Sequence, residues 1–195
     1  MRKRALVLIA WLATALLVAA LPAAAHVTPN VELIKKGDFI QQSLPGATRF
    51  LEQRLTLGDT DLQAVRRATG WTPSDEEAKI YVGRDGEGRR AGTVVFLWVP
   101  SQHGPVSVAA AFGPAGRIVR ATVTDAGSEP LAWIRPLLQA DGMAAFNGLA
   151  LDAAPDAAKV APAVRGTMSR YYAGVIAQGV ARAQALARVS MAAAK

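Results

Sequence analysis

The side chains best equipped for chemistry stand together at Val164-Arg165-Gly166-Thr167-Met168-Ser169-Arg170. Read as the entry to a helix, this segment presents unpaired backbone N–H groups and the positive end of the helix dipole. Gly166 lets a ligand approach the main chain closely. Thr167 and Ser169 add hydroxyls, and Arg165 and Arg170 add positive charge. Such a set suits a phosphate. The same residues also fit a plainer description: Thr167 as N-cap of an amphipathic helix, with both arginines in solvent, since Ser and Thr are among the favoured caps.

Other constellations are thinner. The chain has two histidines, His26 and His103, and no cysteine. Disulfides, thiolate metal sites and thiol catalysis are thereby excluded. If a leader is removed after Ala25, His26 acquires a free amine, and amine plus imidazole suit copper. A copper-linked binding module is therefore a second class of function, although two ligands without a third make a poor site. His103, in Ser101-Gln102-His103-Gly104, reads as an exposed loop residue between strands. Asp75-Glu76-Glu77 reads as a solvated cluster or a helix start. Gly83-Arg84-Asp85-Gly86-Glu87-Gly88 joins two strands and opens no helix, so it reads as a hairpin rather than a phosphate loop. No nucleophile elbow is present.

These residues need a scaffold, and the hydrophobic pattern supplies one. Residues 29–44 read as a helix with Leu33, Ile40 and Leu44 on one face, ended by Pro45-Gly46. Residues 48–57 alternate as a strand. Asp59 or Asp61 then caps a short helix that runs through Thr69 and stops at Gly70, with Leu62 and Val65 inward. Strands follow at 78–82, 93–99 and 105–112, the second apolar enough to be covered on both faces. Gly113-Pro114-Ala115-Gly116 makes a tight turn. In 117–124, Val119, Ala121 and Val123 alternate with Arg120, Thr122 and Thr124. Residues 130–139 form a short helix, 141–151 a loop, and 153–162 a surface connection. The longest helix starts at Thr167 and runs to about Val189. Its apolar stripe is Met168, Tyr171, Tyr172, Val175, Ile176, Val180, Ala183 and Leu186, with Arg170, Gln178, Arg182 and Arg188 elsewhere. The class is α+β: an antiparallel sheet of four to five strands with helices packed on it and a long C-terminal helix.

Several pieces, in order, resemble the FMN-binding domain family, exported flavoprotein domains related to the flavin subunits of Rnf and Na⁺-pumping quinone reductase complexes. They are Ala25-His26-Val27, Leu44-Pro45-Gly46-Ala47, the strand–turn–strand from Val108 to Ile118, Ser128-Glu129-Pro130, Trp133, Phe146-Asn147-Gly148, and Arg165-Gly166-Thr167 before the last helix. The last lies where the family carries Ser-Gly-Ala-Thr, with the Ala missing and Ala161-Pro162-Ala163-Val164 replacing the usual upstream residues. The resemblance implies an electron carrier whose FMN phosphate rests at Arg165, Gly166, Thr167 and Ser169. It places the isoalloxazine against Trp133 and Phe146, with Ser128 and Glu129 at polar ring edges. It further implies a redox protein or membrane electron-transport complex as partner. A flavin transferase would esterify Thr167 in the covalent form. In the non-covalent form Arg165 would pair with a free phosphate. A flavin-free binding or scaffold module on the same fold is the alternative.

Residues 1–25 read as a secretory signal peptide. Arg2-Lys3-Arg4 precedes a 17-residue run from Ala5 to Leu21 that is apolar except at Thr14, and Pro22 and Ala23-Ala24-Ala25 follow. Residues 26–195 then form one periplasmic or otherwise extracytoplasmic domain, large enough for a core of its own. A membrane anchor is the other reading of the same run, which is at the lower limit for a span. The formal charge of +7 falls to +4 once Arg2, Lys3 and Arg4 are removed. The remaining basic residues form no stripe with interleaved aromatics, which argues against nucleic acid as partner.

Overall fold

The computed structural model describes residues 29–74, 78–162 and 164–193. Glu76, Glu77, His26 and the expected signal peptide lie outside them. One antiparallel sheet of six strands organises the chain, in the order β1-β6-β5-β4-β3-β2. The strands are β1 (Asn30–Glu32), β2 (Arg49–Arg54), β3 (Lys79–Arg84), β4 (Arg90–Val99), β5 (Val106–Phe112) and β6 (Ile118–Gly127). The helices are α1 (Lys36–Ser43), α2 (Asp59–Thr69), α3 (Ser128–Gln139), α4 (Ala157–Val160) and α5 (Thr167–Ala192), with a 3-10 turn at Gly142–Phe146. The α+β class and the long last helix are as expected, with one strand more than the upper count.

The extra strand comes from the segment expected to begin a helix at Pro29. Asn30, Val31 and Glu32 pair with Gly127, Ala126 and Asp125, and the Pro29 carbonyl accepts from the Ser128 N–H (3.0 Å). Proline at the mouth of an edge strand gives up no ladder hydrogen bond. The helix starts only at Lys36, so Gly37 falls in its first turn, where it costs less than in mid-helix. Helix α2 is capped by Gly58 rather than by an aspartate. The Gly58 N–H donates to the Asp61 carboxylate (3.3 Å), and Gly70 ends the helix in the left-handed region at φ 66°.

Helix α5 lies across one face of the sheet. Val95, Leu97 and Val99 from β4 and Val108, Ala110 and Phe112 from β5 meet Tyr172, Ile176, Val180 and Leu186 in the main core. Contact is closest at Gly179, where a Cβ would come within 2.8 Å of Val108 Cγ2 and 2.9 Å of Val99 Cγ2. On the other face α1 covers a smaller cluster of Phe39, Ile40, Leu44, Val94, Ala109 and Ala111. The alanines of β5 let Phe39 descend to full burial, worth about 1.5–3 kcal/mol. Strand β4 is thus covered on both faces only in part, for Trp98 remains 45 % exposed.

Three expectations are corrected. Val119 is 44 % exposed, not aligned with Ala121 and Val123. Ala111 pairs with Arg120 but Phe112 pairs with Ile118, so Val119 is the extra residue of a bulge. A second shift, with Ser107 opposite Asp125 and Val108 opposite Val123, makes Thr124 another. Arg182, expected on the polar side of α5, is 8 % exposed, and its guanidinium lies 5.2 Å from the Trp71 ring centroid. The connection 153–162 contains α4, and its Val160 is fully buried. Among the described residues no helix is long and apolar enough to cross a membrane.

Candidate functional site

The first turn of α5 is open. Gly166 occupies the N-cap position at φ 117° and ψ 141°, with no side chain capping the turn. Thr167 is therefore the first helical residue, not the cap. A Cβ at residue 166 would meet nothing within 4 Å, so free space adjoins the backbone there. Arg165, Gly166, Thr167 and Arg170 are all exposed. Ser169 is not: at 5 % exposure its side chain is packed inside, leaving only its backbone N–H among the early donors of the turn.

One turn further along α5 stands an aromatic group. The Trp133 ring, carried by α3, stacks on Tyr172 at 5.7 Å between centroids and 10° between planes. Tyr171 meets Tyr172 edge-on at 5.1 Å and is 39 % exposed, so of the two tyrosines expected inward only Tyr172 is buried. The fourth ring is His103, 4.9 Å from Trp133. Burial holds the Tyr172 phenol above its ordinary pKa, against the opposing pull of its hydrogen bond with Ser101.

The loop between β4 and β5 is bound to this group at successive residues. Ser101 Oγ lies 3.2 Å from the Tyr172 hydroxyl, and the Gln102 N–H donates to the Tyr171 hydroxyl oxygen (3.0 Å). His103 Nδ1 lies 2.7 Å from Glu129 Oε1. His103 is thus engaged rather than a free loop histidine. Among the described residues no cluster of three or more His, Cys, Asp or Glu could hold a metal, and His26, the other half of the copper reading, is outside the described residues.

The sequence-predicted residues divide accordingly. Arg165, Gly166 and Thr167 are exposed at the open turn. Trp133 and Glu129 stand on α3, which packs on α5; Trp133 reaches Tyr172, and Glu129, half-exposed, spends one oxygen on His103. Ser128 is exposed at the start of α3. Phe146 stands apart: it is fully buried in the main core and presents no surface to a ligand, so the partly exposed aromatic rings are Trp133, Tyr171 and His103, set at angles to one another. His103 and Tyr171 as members of this set had no sequence signal. Their partners lie on other elements, and neither periodicity nor a motif links a β4–β5 loop to the start of α3.

An exposed anion seat and a partly exposed aromatic wall, a helical turn apart, suit a ligand with a phosphate at one end and a flat ring system at the other. The set includes no activated nucleophile. Compared with known protein families, with curated proteins and with solved structures, the chain matches none.

Proposed function

We propose that the chain is an extracytoplasmic electron-transfer domain that binds FMN at the start of α5. The observation that carries this reading is the open, uncapped first turn with free space beside Gly166. A buried or self-capped turn would offer no seat. Arg165 and Arg170 flank the turn and would add charge-assisted bonds to phosphate oxygens. Trp133, held in orientation by its stack on Tyr172, would take one face or edge of the ring system, and Glu129 would meet polar ring atoms. Phe146 would act only from behind, as core. A bound flavin supplies the electron chemistry; the residues around it position and tune it.

Thr167 is exposed, as esterification of its hydroxyl to the FMN phosphate by a flavin transferase requires. Electrons would pass to or from another exported redox protein or a membrane complex. The deciding measurement is the absorbance spectrum of protein purified from the compartment to which it is exported, followed by mass after denaturation. A flavin spectrum is expected. A mass increment that survives denaturation and disappears in Thr167→Ala marks the covalent form, and an increment that persists in that variant assigns the link elsewhere. Colourless protein that also fails to quench added FMN fluorescence refutes the proposal and leaves a flavin-free binding module.

A further inference from the structure

On the face of the sheet away from α5, helix α1 stops short of the far ends of β4 and β5. A cleft of about 450 Å³ remains there, within the range of small-ligand sites. Its floor is Phe96 and the exposed Trp98. Tyr81, Lys36 and Lys79 form one wall, Glu32 and Asp125 the other.

The chemistry of the two walls selects a ligand class. The aromatic wall already accepts a cation: Lys36 Nζ lies 5.1 Å from the Phe96 centroid and 5.4 Å from that of Tyr81. Ring faces attract positive charge, tryptophan most strongly, and the Trp98 ring is the exposed one. Opposite, Glu32 and Asp125 face each other directly in the β1–β6 register. Like charges so placed repel, and neither carboxylate has a hydrogen bond or ion pair to any other described residue. An anion would meet that repulsion. Among the described residues a bare metal ion would find no more carboxylates there than these two, short of a ligand set.

We infer that this cleft binds an organic cation, its ammonium between Glu32 and Asp125 and its apolar body on Trp98 and Phe96. A ligand cation there relieves the repulsion between the two acids and covers the exposed indole in one event. Lys36 and Lys79, on the far wall, oppose it by charge, and Lys36 shades two of the rings.

The test is calorimetric titration of the full-length chain at low salt with benzyltrimethylammonium, benzyl alcohol and benzoate. Saturable binding of the cation alone is expected. Glu32→Gln combined with Asp125→Asn should weaken it by at least about tenfold, the scale of losing the Coulombic attraction of two nearby carboxylates. Trp98→Ala should weaken it as well, and Lys36→Met should tighten it several-fold. The paired amide variant alters only exposed or half-exposed carboxyls, so it decides the matter even if Trp98→Ala fails to fold. Absence of saturable cation binding overturns the proposal. So does equal affinity for benzyl alcohol or benzoate, or cation affinity unchanged in the paired variant.

Discussion

Two glycines of α5 should respond oppositely to the same substitution. Gly174 and Gly179 lie five residues apart in one helix, and replacing glycine by alanine within a helix ordinarily gains about 1 kcal/mol. At Gly174 an added Cβ meets nothing within 4 Å, so Gly174→Ala should show that gain. At Gly179 the Cβ would lie 2.8 Å from Val108 Cγ2, 2.9 Å from Val108 Cβ and 2.9 Å from Val99 Cγ2. Valine has one stiff torsion and its Cβ cannot rotate away, so helix and sheet must separate. Overpacking of this kind costs about 1–3 kcal/mol. Offset by the propensity gain, Gly179→Ala should be less stable than wild type by up to about 2 kcal/mol. For a domain of this size each kcal/mol moves Tm by about 2–4 °C. Thermal unfolding followed by circular dichroism should therefore place Gly174→Ala above and Gly179→Ala below the parent. Val108→Ala in the Gly179→Ala background should cost less than Val108→Ala alone, because it removes the clashing methyl. If Gly179→Ala raises Tm as much as Gly174→Ala does, α5 does not rest on β5 at this point, and the register that sets Tyr172 against Trp133 fails with it.

Two further outcomes concern groups outside the candidate site. The Arg90 guanidinium donates to Thr93 Oγ1 (3.0 and 2.7 Å), the Ser190 carbonyl (3.1 Å) and Ser190 Oγ (2.6 Å), tying β4 to the last turn of α5. Burial, with Arg84 nearby, lowers its pKa without removing its charge, so Arg90→Gln should lose about 1–3 kcal/mol in urea unfolding through the stranded hydroxyls, and an unchanged midpoint would deny the tie. The Tyr81 hydroxyl, hydrogen-bonded to Glu52 (2.7 Å), has its pKa pushed from 10.0 up to about 12 by burial and then by Glu52. A pKa raised on folding gives stability that is complete below pH 10 and is lost as pH rises through 12. Alkaline unfolding should accordingly show a component in that window that Tyr81→Phe abolishes, and ultraviolet titration should find one tyrosine ionising near pH 12.

The parts of the fold legible in the sequence are those whose signal is local and repeated. Helix α5 shows its stripe over about five turns, and β4 and β5 are apolar runs bounded by turn residues. What escaped was decided by a partner. Three residues, Asn30 to Glu32, cannot display a period, and they are a strand because β6 has an edge to fill. The bulges at Val119 and Thr124 interrupt an alternation that looks regular in one dimension, since the shift is a property of the pairing with β5. Arg182 is polar by type but buried by position, because Trp71 from beyond α2 lies over it.

The site divides along the same line. Arg165, Gly166 and Thr167 were readable because a helix N-terminus is defined by neighbouring residues, and the backbone donors follow from the helix itself. Trp133 and Phe146 are both aromatic residues near predicted helices, and composition cannot separate them. Burial does, placing Phe146 wholly in the core and Trp133 between core and solvent. Trp133 is at the surface because Tyr172 supports it from below while His103, anchored by Glu129, leans on it from the side. Any flat ligand placed on Trp133 must therefore share the indole with the His103 ring or displace it. Displacement breaks the Glu129 contact and pulls on the adjoining Ser101 and Gln102 bonds to the two tyrosines of α5. The loop from Ser101 to Gly104 is thus mechanically part of the candidate site, and the ligand's ring and its phosphate would be sensed by opposite ends of one short stretch of α5.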